Sequence, residues 1–224
     1  MKYPEDYINK IICGDCLDLM NGIPDKSVDF IFCDYPFNCQ DGKSDYIKFI
    51  DDTALAFYGK LKENSVLLIV NNPTNIFNTA HSFNVFKQRD NIALIRKGSL
   101  RPAWHFGFQH NYLRTFIKGQ DTKLKWNGTK INHDKSFLTD VITYQNGFRG
   151  KGKAWHPQAM PLPLVKEFIR IFTNEGDVVL DPFMGSGTTA VACQELKRNF
   201  IGIEFNKQYC EIAQRRLAQD YLFT

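Results

Sequence analysis

Short runs of consecutive apolar residues recur along the chain, and stretches of helical length separate many of them. Runs without strict alternation predict strands that are buried on both faces of a parallel sheet. The predicted strands span residues 10–13, 28–33, 65–70, 91–95, 112–117, 177–180 and 200–203. The predicted helices span residues 45–62, 162–173, 188–197 and 207–218. This alternation predicts an α/β fold built on a doubly wound, mostly parallel sheet.

The stretch from residue 119 to residue 155 interrupts the pattern. It is rich in Lys, Asn, Gly and Asp and contains only short apolar pieces. This composition predicts a loop-rich insertion. We therefore expect one domain made of two sequence blocks, residues 1–118 and 156–224, separated by residues 119–155.

Positive charge is concentrated in the middle of the chain. Residues 96–153 contain twelve Lys and Arg side chains and three Asp, while the net charge of the whole chain is only +4. The remainder of the chain is therefore acidic. A basic segment on an acidic body is typical of polyanion binding. A solvated lysine-rich surface is the alternative interpretation.

The sequence contains no predicted membrane segment or secretory leader. The longest apolar runs have the length of a strand, and the first ten residues have no apolar stretch of the kind found in signal peptides. The six cysteines, at positions 13, 16, 33, 39, 193 and 210, are predicted to be buried thiols. The Cys13-x-x-Cys16 spacing has no second pair to complete a zinc site, so no metal is expected. These features favour a cytoplasmic location.

The most informative motif is Asp-Pro-Phe-Met-Gly-Ser-Gly-Thr-Thr at residues 181–189. It follows a predicted strand and opens a predicted helix, as a nucleotide-binding loop does. Gly185 and Gly187 allow a ligand to approach the backbone closely, and the start of the helix favours an anionic group such as a carboxylate. No Lys follows the second glycine, so the motif is not a triphosphate-binding loop.

An acidic residue follows this loop at an informative distance. Glu204 ends the next predicted strand, 23 residues after Asp181. A carboxylate at that position can accept hydrogen bonds from the hydroxyls of a ribose. The strand, loop, helix, strand and acid therefore predict, in this order, a site for a cofactor that contains a nucleoside.

The motif at 181–189 resembles the cofactor motif of the amino-specific DNA methyltransferases. The segments 198–217 and 12–34 are similar to the same family, and their order along the chain resembles its β-class. The match covers about residues 8–75 and 154–218. The resemblance implies a Rossmann-like methyltransferase fold with a loop-rich basic insertion, S-adenosylmethionine as the cofactor and double-stranded DNA as the substrate.

The catalytic motif of that family resembles Asp34, Tyr35, Pro36 and Phe37, which follow the predicted strand 28–33. An exocyclic amine is a poor nucleophile because its lone pair is delocalised into the ring. A carboxylate and a backbone carbonyl can hold its hydrogens, and an aromatic ring can stack on a base flipped out of the duplex. The resemblance assigns these roles to Asp34, to the Tyr35 carbonyl and to Phe37, with Pro36 stiffening the turn. A structural turn followed by a core phenylalanine is the alternative.

The family has proline at the second position of this motif, and the chain has Tyr35 there. That residue contributes its main-chain carbonyl, which tyrosine also has, and Pro36 still favours extended backbone angles at Tyr35. We therefore expect the site to be retained with reduced rigidity.

The resemblance also assigns contacts with the cofactor. Asp15 matches the acid that contacts the adenine amino group, although a helix N-cap is an equally good interpretation. His156 matches a residue near the methionine end, with a helix entry turn as the alternative. The full expected set is Asp15, Cys16, His156, Asp181, Pro182, Phe183, Gly185, Gly187, Thr188, Thr189, Glu204, Phe205 and Asn206.

These motifs predict a site-specific DNA methyltransferase that modifies N6 of adenine. Methylation of cytosine N4 is the nearest alternative, although the family tends to use serine in place of Asp34 for that base. A non-catalytic homologue that binds DNA or the cofactor, degenerate at Tyr35 and at residues 158–160, is a hypothesis of a different class. A methyltransferase acting on RNA or on a protein amide is another.

The partners expected for this protein follow from the same resemblance. Residues 119–155 are expected to recognise the DNA target, with Trp126, Arg149, Lys151 and Trp155 as candidate contacts in and beside the basic segment. The resemblance also allows a homodimer and an associated restriction endonuclease. It implies no membrane partner.

Overall fold

The computed structural model describes residues 1–36, 43–71, 81–97, 110–119, 141–145 and 159–220. Within these ranges a single sheet forms the centre of the molecule. Its strands are β1 (Lys10–Cys13), β2 (Val28–Asp34), β3 (Leu61–Asn71), β4 (Lys87–Lys97), β5 (His110–Ile117), β6 (Val141–Gln145), β7 (Val178–Asp181) and β8 (Asn199–Glu204). The helices are α1 (Cys16–Met20), α2 (Lys43–Lys60), α3 (Leu162–Phe172), α4 (Thr188–Glu195) and α5 (Lys207–Asp220).

The strands lie in the order β1-β8-β7-β2-β3-β5-β4-β6. The first five of these pair in parallel. Strand β5 pairs antiparallel with both of its neighbours, and β6 pairs in parallel with β4. Among the described strands, β5 is therefore the one that runs against the others. The predicted doubly wound, mostly parallel α/β sheet is confirmed.

Two apolar layers cover the sheet, one on each face. Helices α3 and α4 supply much of one layer, and the buried side of α3 carries Leu164, Val165, Phe168 and Ile169. Their spacing places them on a single face of the helix. Helices α1 and α2 pack in the other layer, where the aromatic rings of Phe57 and other residues collect. Burial on both faces explains why the strands lack alternating polar positions.

The predicted helix and strand positions differ from the structure mainly at their ends. The predicted helix 45–62 ends at Lys60 because β3 begins at Leu61, four residues before its predicted start. Strand β6 was not predicted at all and lies within residues 119–155. It pairs with β4 at the edge of the sheet. The division of the chain at residues 118 and 155 remains a prediction.

The expectation that every cysteine is a thiol was wrong for one pair. Cys13 and Cys210 form a disulfide, with their Cα atoms 6.0 Å apart. They are neighbours because β1 lies beside β8, and α5 starts directly after β8. Cys16, Cys33 and Cys193 are buried thiols, and Cys39 lies outside the described residues. None of the described helices combines the length and the apolar character needed to cross a bilayer.

Candidate active site

Strands β2 and β7 bring two distant parts of the sequence together. Phe30 pairs with Val179 and Ile31 with Leu180, so both strands run in the same direction side by side. Asp34 is the last residue of β2 and Asp181 is the last residue of β7. Ligands of open α/β sheets bind outside the carboxyl ends of such strands. The predicted catalytic turn and the predicted cofactor loop therefore begin at the same edge of the sheet.

A cavity of about 610 Å³ opens at this edge, a volume suited to a small-molecule ligand. Both predicted motifs line it. The lining includes, among the expected residues, Asp15, Cys16, Asp34, Tyr35, Pro36, Asp181, Pro182, Phe183, Gly185, Thr188, Thr189, Glu204, Phe205 and Asn206. The structure thus gathers most of the sequence-predicted site residues around one space.

Asp181 organises the loop that follows β7. Its side chain is 3% exposed. One oxygen accepts a hydrogen bond from the Phe183 N–H at 3.0 Å, and the other accepts one from the Thr189 hydroxyl at 2.6 Å. Asp181 therefore connects the start of the loop to the first turn of α4. Burial, partly offset by these two hydrogen bonds, raises the pKa of its carboxyl to about 7.

Glu204 connects the two loops that follow β7 and β8. Its Oε2 accepts a hydrogen bond from the Gly185 N–H at 2.8 Å, and its Oε1 accepts one from the Asn206 N–H at 2.7 Å. A carboxylate offers about four acceptor positions. Glu204 can therefore hold both loops in place and still accept hydrogen bonds from the two hydroxyls of a ribose.

Gly187 is the N-cap of α4 and does not line the cavity. Its φ is +83°, a left-handed conformation that favours glycine. A β-carbon at this position would lie 2.9 Å from the Cβ of Ala213 on α5. Gly187 therefore permits a tight turn and close packing of α4 against α5. The Thr188 side chain, in turn, accepts a hydrogen bond from Arg216 at 2.9 Å.

Asp15 has two roles in this structure. It is the N-cap of α1, because its Oδ1 accepts hydrogen bonds from the Leu17 and Asp18 N–H groups at 2.8 and 3.2 Å. The N-cap interpretation is therefore correct, and Asp15 also lines the cavity. Cys16 lies beside it, and burial raises the pKa of its thiol to about 12. Cys16 is consequently a protonated thiol and contributes an apolar wall.

One oxygen of the Asp34 carboxyl is a buried acceptor. Among the described residues, nothing donates a hydrogen bond to its buried Oδ1. Burial raises the pKa of this carboxyl to about 7, and the negative charge of Asp181 acts in the same direction. Buried polar atoms usually have a hydrogen-bond partner. Asp34 also lines the cavity, so its carboxyl is suited to a donor that the ligand brings.

Tyr35 and Pro36 point in different directions. Tyr35 is 1% exposed and its hydroxyl forms a hydrogen bond of 2.6 Å with Thr53 on α2. Pro36 is exposed. Phe37, the predicted stacking platform, and His156, the predicted contact at the methionine end, lie outside the described residues.

Several cavity residues were not part of the expected site. They are Gly14, Phe32, Phe49, Ala159, Met160, Val165, Met184, Ser186 and Tyr209. Met184 and Ser186 could have been inferred because they lie inside the glycine-rich motif. Phe49 could not, since it comes from the middle of α2 and no local pattern distinguishes it from a core residue.

Two cations of the basic segment, Arg114 and Lys118, are buried. Lys118 is 3% exposed and its ammonium donates to the carbonyls of Tyr58 and Leu61 at 2.6 and 2.8 Å. Arg114 is 9% exposed, and its Nε and Nη1 have no partner within the part of the chain that is described. These two cations therefore face the interior. The lysines between residues 120 and 140 lie outside the described residues.

The cavity has the chemistry to hold a nucleoside that carries a positive charge. Phe205 is 80% exposed at its edge, although large apolar side chains are usually covered. A planar base would cover this ring. Carboxylates of Asp15, Asp34 and Glu204 offer acceptors for amino and hydroxyl groups and favour a nearby cation. The N-terminus of α4 favours a carboxylate.

Comparison with known proteins agrees with this description. Residues 28–215 match the model of the N6/N4 methyltransferase family, described as DNA methylase. The Type II methyltransferase M.BamHI of Bacillus amyloliquefaciens is 31% identical over 249 residues, which cover 94% of this chain and 57% of that protein. The chain thus spans little more than half the length of this relative.

Solved structures show the same fold. The complex of M1.HpyAVI with S-adenosylmethionine is 28% identical, with a TM-score of 0.71, and the alignment covers 93% of this chain and 98% of that one. The cytosine-N4-specific PvuII DNA methyltransferase is 18% identical, with a TM-score of 0.77 and coverage of 92% and 85%. The second likeness concerns the fold alone. The chain belongs to the N6/N4 family of DNA methylases, and its cofactor is S-adenosylmethionine.

Proposed function

We propose that this protein transfers a methyl group from S-adenosylmethionine to N6 of adenine at a specific sequence of double-stranded DNA. The observation that carries this proposal is Asp34, whose Oδ1 is buried and has no donor within the described residues. It lies on the wall of the cavity that the cofactor loop also lines. An acceptor in that place suits an amine that must be held beside the methyl donor.

Asp34 and the Tyr35 carbonyl would hold the two hydrogens of the amine. Holding both hydrogens outside the plane of the base takes the nitrogen lone pair out of conjugation with the ring. The lone pair can then attack the methyl group. S-adenosylmethionine supplies an electrophilic methyl group on a sulfonium when it is bound. The chain contributes orientation, since reacting atoms held in line can lower the barrier by several kcal/mol. Asp34 or water would accept the proton that the product amine loses.

The cofactor contacts in this proposal follow the geometry of the two loops. Glu204 would accept hydrogen bonds from the ribose, and Asp15 would accept one from the adenine amino group. Phe205 would lie against the face of the adenine ring. Asp181 and Gly187 would act through the backbone, because they shape the loop and the start of α4.

The identity of the base rests on Asp34. A carboxylate is a stronger acceptor than a hydroxyl, and serine is the usual residue of the family at this position when cytosine is the target. The cytosine-N4-specific PvuII enzyme shares the fold, so cytosine N4 remains the competing proposal. A homodimer and a restriction endonuclease partner are further proposals from the resemblance.

The test of this function is transfer of a tritiated methyl group from the cofactor to duplex DNA of many sequences. The product is then digested and its nucleosides are identified. We expect the label in N6-methyl-2′-deoxyadenosine. Label in N4-methyl-2′-deoxycytidine would show that the target base is cytosine and not adenine. The absence of transfer by protein that binds the cofactor would disprove the enzymatic proposal.

A variant that separates binding from chemistry is Asp34→Asn. We expect transfer to fall by about 100-fold or more, because the amide oxygen is a weaker acceptor than the carboxylate. Cofactor affinity should change much less. The reversion Tyr35→Pro addresses the non-catalytic alternative: if it creates activity that the natural chain lacks, the chain is a degenerate homologue.

A further inference from the structure

Tyr35 touches both halves of the site without reaching into the cavity with its hydroxyl. Its ring lies 5.1 Å from the ring of Phe183, which belongs to the cofactor loop. The ring also contacts Phe49 and Phe57 of α2 at centroid distances of 6.4 Å. The backbone of the same residue immediately follows Asp34. One side chain therefore joins the catalytic turn, the cofactor loop and α2.

The hydroxyl of Tyr35 belongs to a hydrogen-bond chain whose direction can be derived. Thr53 Oγ1 lies 2.9 Å from the carbonyl oxygens of Phe49 and Ile50, one turn earlier on α2. A carbonyl can only accept, so the single hydroxyl proton of Thr53 is directed to these carbonyls. With the Thr53 proton on these carbonyls, the Tyr35 hydroxyl donates to Thr53 Oγ1 across the 2.6 Å contact.

The hydrogen bonds of Tyr35 and Thr53 fix the position of the catalytic turn. Tyr35 is 1% exposed and Thr53 is fully buried, so water does not compete for either hydroxyl. Hydrogen bonds in such surroundings are strong and polarise one another. A Tyr35 hydroxyl displaced by an ångström would lose its acceptor, and the Asp34 backbone would move with it.

We propose that Tyr35 is a positioning residue that couples the cofactor loop to the catalytic turn through Phe183 and Thr53. This inference rests on the proposed methyl transfer. When the cofactor loop is held by its ligand, Phe183 restricts the Tyr35 ring, and the Tyr35–Thr53 hydrogen bond holds the ring in the orientation that places Asp34. Loss of the hydroxyl removes the second constraint while the ring contacts remain.

The test compares Tyr35→Phe with Tyr7→Phe. Tyr7 is a matched control: it is 2% exposed, packs in the same apolar layer and donates its hydroxyl to the Leu19 carbonyl at 3.1 Å, and it does not line the cavity. Both variants should lower the melting temperature to a similar degree. We expect kcat to fall about 5- to 20-fold in Tyr35→Phe alone, with KM for the cofactor within twofold of wild type.

A second pair of variants tests whether the two hydroxyls act as one unit. Thr53→Val keeps the shape of the side chain and removes the acceptor. If the two hydroxyls act as one unit, the kcat of the Tyr35→Phe, Thr53→Val double variant should be close to that of the worse single variant. The effects of coupled residues are not additive. Multiplicative losses would show that the two hydroxyls act independently and would contradict the proposal.

Hydrogen exchange provides a readout that does not depend on catalysis. We expect saturating S-adenosylhomocysteine to slow amide exchange in peptides that cover Asp34 and Tyr35, in wild type and in Tyr7→Phe. That protection should be lost in Tyr35→Phe. Equal protection in all three proteins would overturn the coupling. Absence of methyl transfer by wild type would instead disprove the proposed function, and exchange would still decide the coupling.

Discussion

Asp34 illustrates how the position of a residue determines its chemistry. An exposed aspartate has a pKa near 4, but burial and the charge of Asp181 raise the pKa of Asp34 to about 7. The ionised carboxylate is a stronger hydrogen-bond acceptor than the protonated acid. The same residue therefore provides the acceptor and makes its strength depend on pH near neutrality.

We expect activity to rise with pH as the pair of Asp34 and Asp181 loses protons. The pH profile of kcat/KM for the cofactor reports groups of the free enzyme, and it should rise with a midpoint near the pKa of about 7 and level off at higher pH. The pH profile of kcat should have its midpoint at a lower pH, because a bound cation favours the ionised carboxylates. Steady-state methyl transfer between pH 5.5 and 8.5 checks this. A flat profile of kcat/KM would contradict it.

Folding stability should respond to pH in the opposite direction. The pKa of both buried carboxyls is raised in the folded state, so the folded protein binds more protons than the unfolded chain between about pH 4 and pH 7. The free energy of unfolding without cofactor should therefore fall by a few kcal/mol as the pH rises through that window. Each unit of pKa shift corresponds to about 1.4 kcal/mol. Urea unfolding at pH 5 and pH 8 measures the difference.

The variant Asp34→Asn isolates one of these carboxyls. It should stabilise the protein at pH 8 and reduce the pH dependence of stability. Asp18→Asn serves as the control, since Asp18 is exposed and its replacement should change the pH dependence little. Equal effects of the two variants would show that burial of Asp34 does not govern stability.

Helix α4 illustrates a constraint at the scale of an element. It can start close to the cavity and pack on α5 only because residue 187 has no side chain. Gly176, before β7, has nearly the same φ of +86°, but a β-carbon there would meet nothing within 4 Å. The two glycines share a backbone conformation and differ in their surroundings.

Gly187→Ala and Gly176→Ala together separate strain from packing. Each should lose about 1 kcal/mol of stability from the left-handed backbone, and Gly187→Ala should lose roughly 1–3 kcal/mol more through its contact with Ala213. Cofactor affinity should weaken in Gly187→Ala alone. Thermal unfolding and calorimetric titration with S-adenosylhomocysteine measure both effects, and equal losses in the two variants would refute the packing contribution.

Elements defined by local pattern could be predicted from the sequence, whereas those defined by distant partners could not. The loop at 181–189 and the strands beside it were predicted because glycines, acid and strand occur in one segment. Strand β6 was missed although Val141, Ile142 and Tyr144 favour strands, because it is short and surrounded by polar residues. The partners of Tyr35 and Cys13 lie 18 and 197 residues away, so no local pattern indicates them.

At the scale of the whole molecule, charge and fold have separate roles. The parallel half of the sheet carries the cavity, whereas twelve of the 28 Lys and Arg residues lie between residues 96 and 153. Arg114 and Lys118 are buried, so contact with phosphates is expected from the other cations of this segment. Phosphate contacts set affinity and orientation rather than sequence preference.

Replacing Lys123, Lys125 and Lys130 by glutamate should weaken DNA binding at least tenfold at low salt. The slope of log affinity against log salt should also become less steep by about 3. Binding of the variant releases about one counterion fewer for each phosphate contact that it has lost. Replacement of Lys2, Lys26 and Lys197, which are exposed elsewhere on the chain, is the matched control. Fluorescence anisotropy over a range of salt concentrations would show whether the two triple variants differ.

The order of the strands has a consequence for how the protein folds during its synthesis. Strands β7 and β8 lie between β1 and β2, so the two described strands that come latest in the sequence fill a gap between the two that come first. A nascent chain without them leaves facing edges of β1 and β2 unpaired and would expose apolar surface that favours chaperone binding. We expect ribosome-bound chains of increasing length to acquire affinity for S-adenosylhomocysteine abruptly, once β8 has left the exit tunnel.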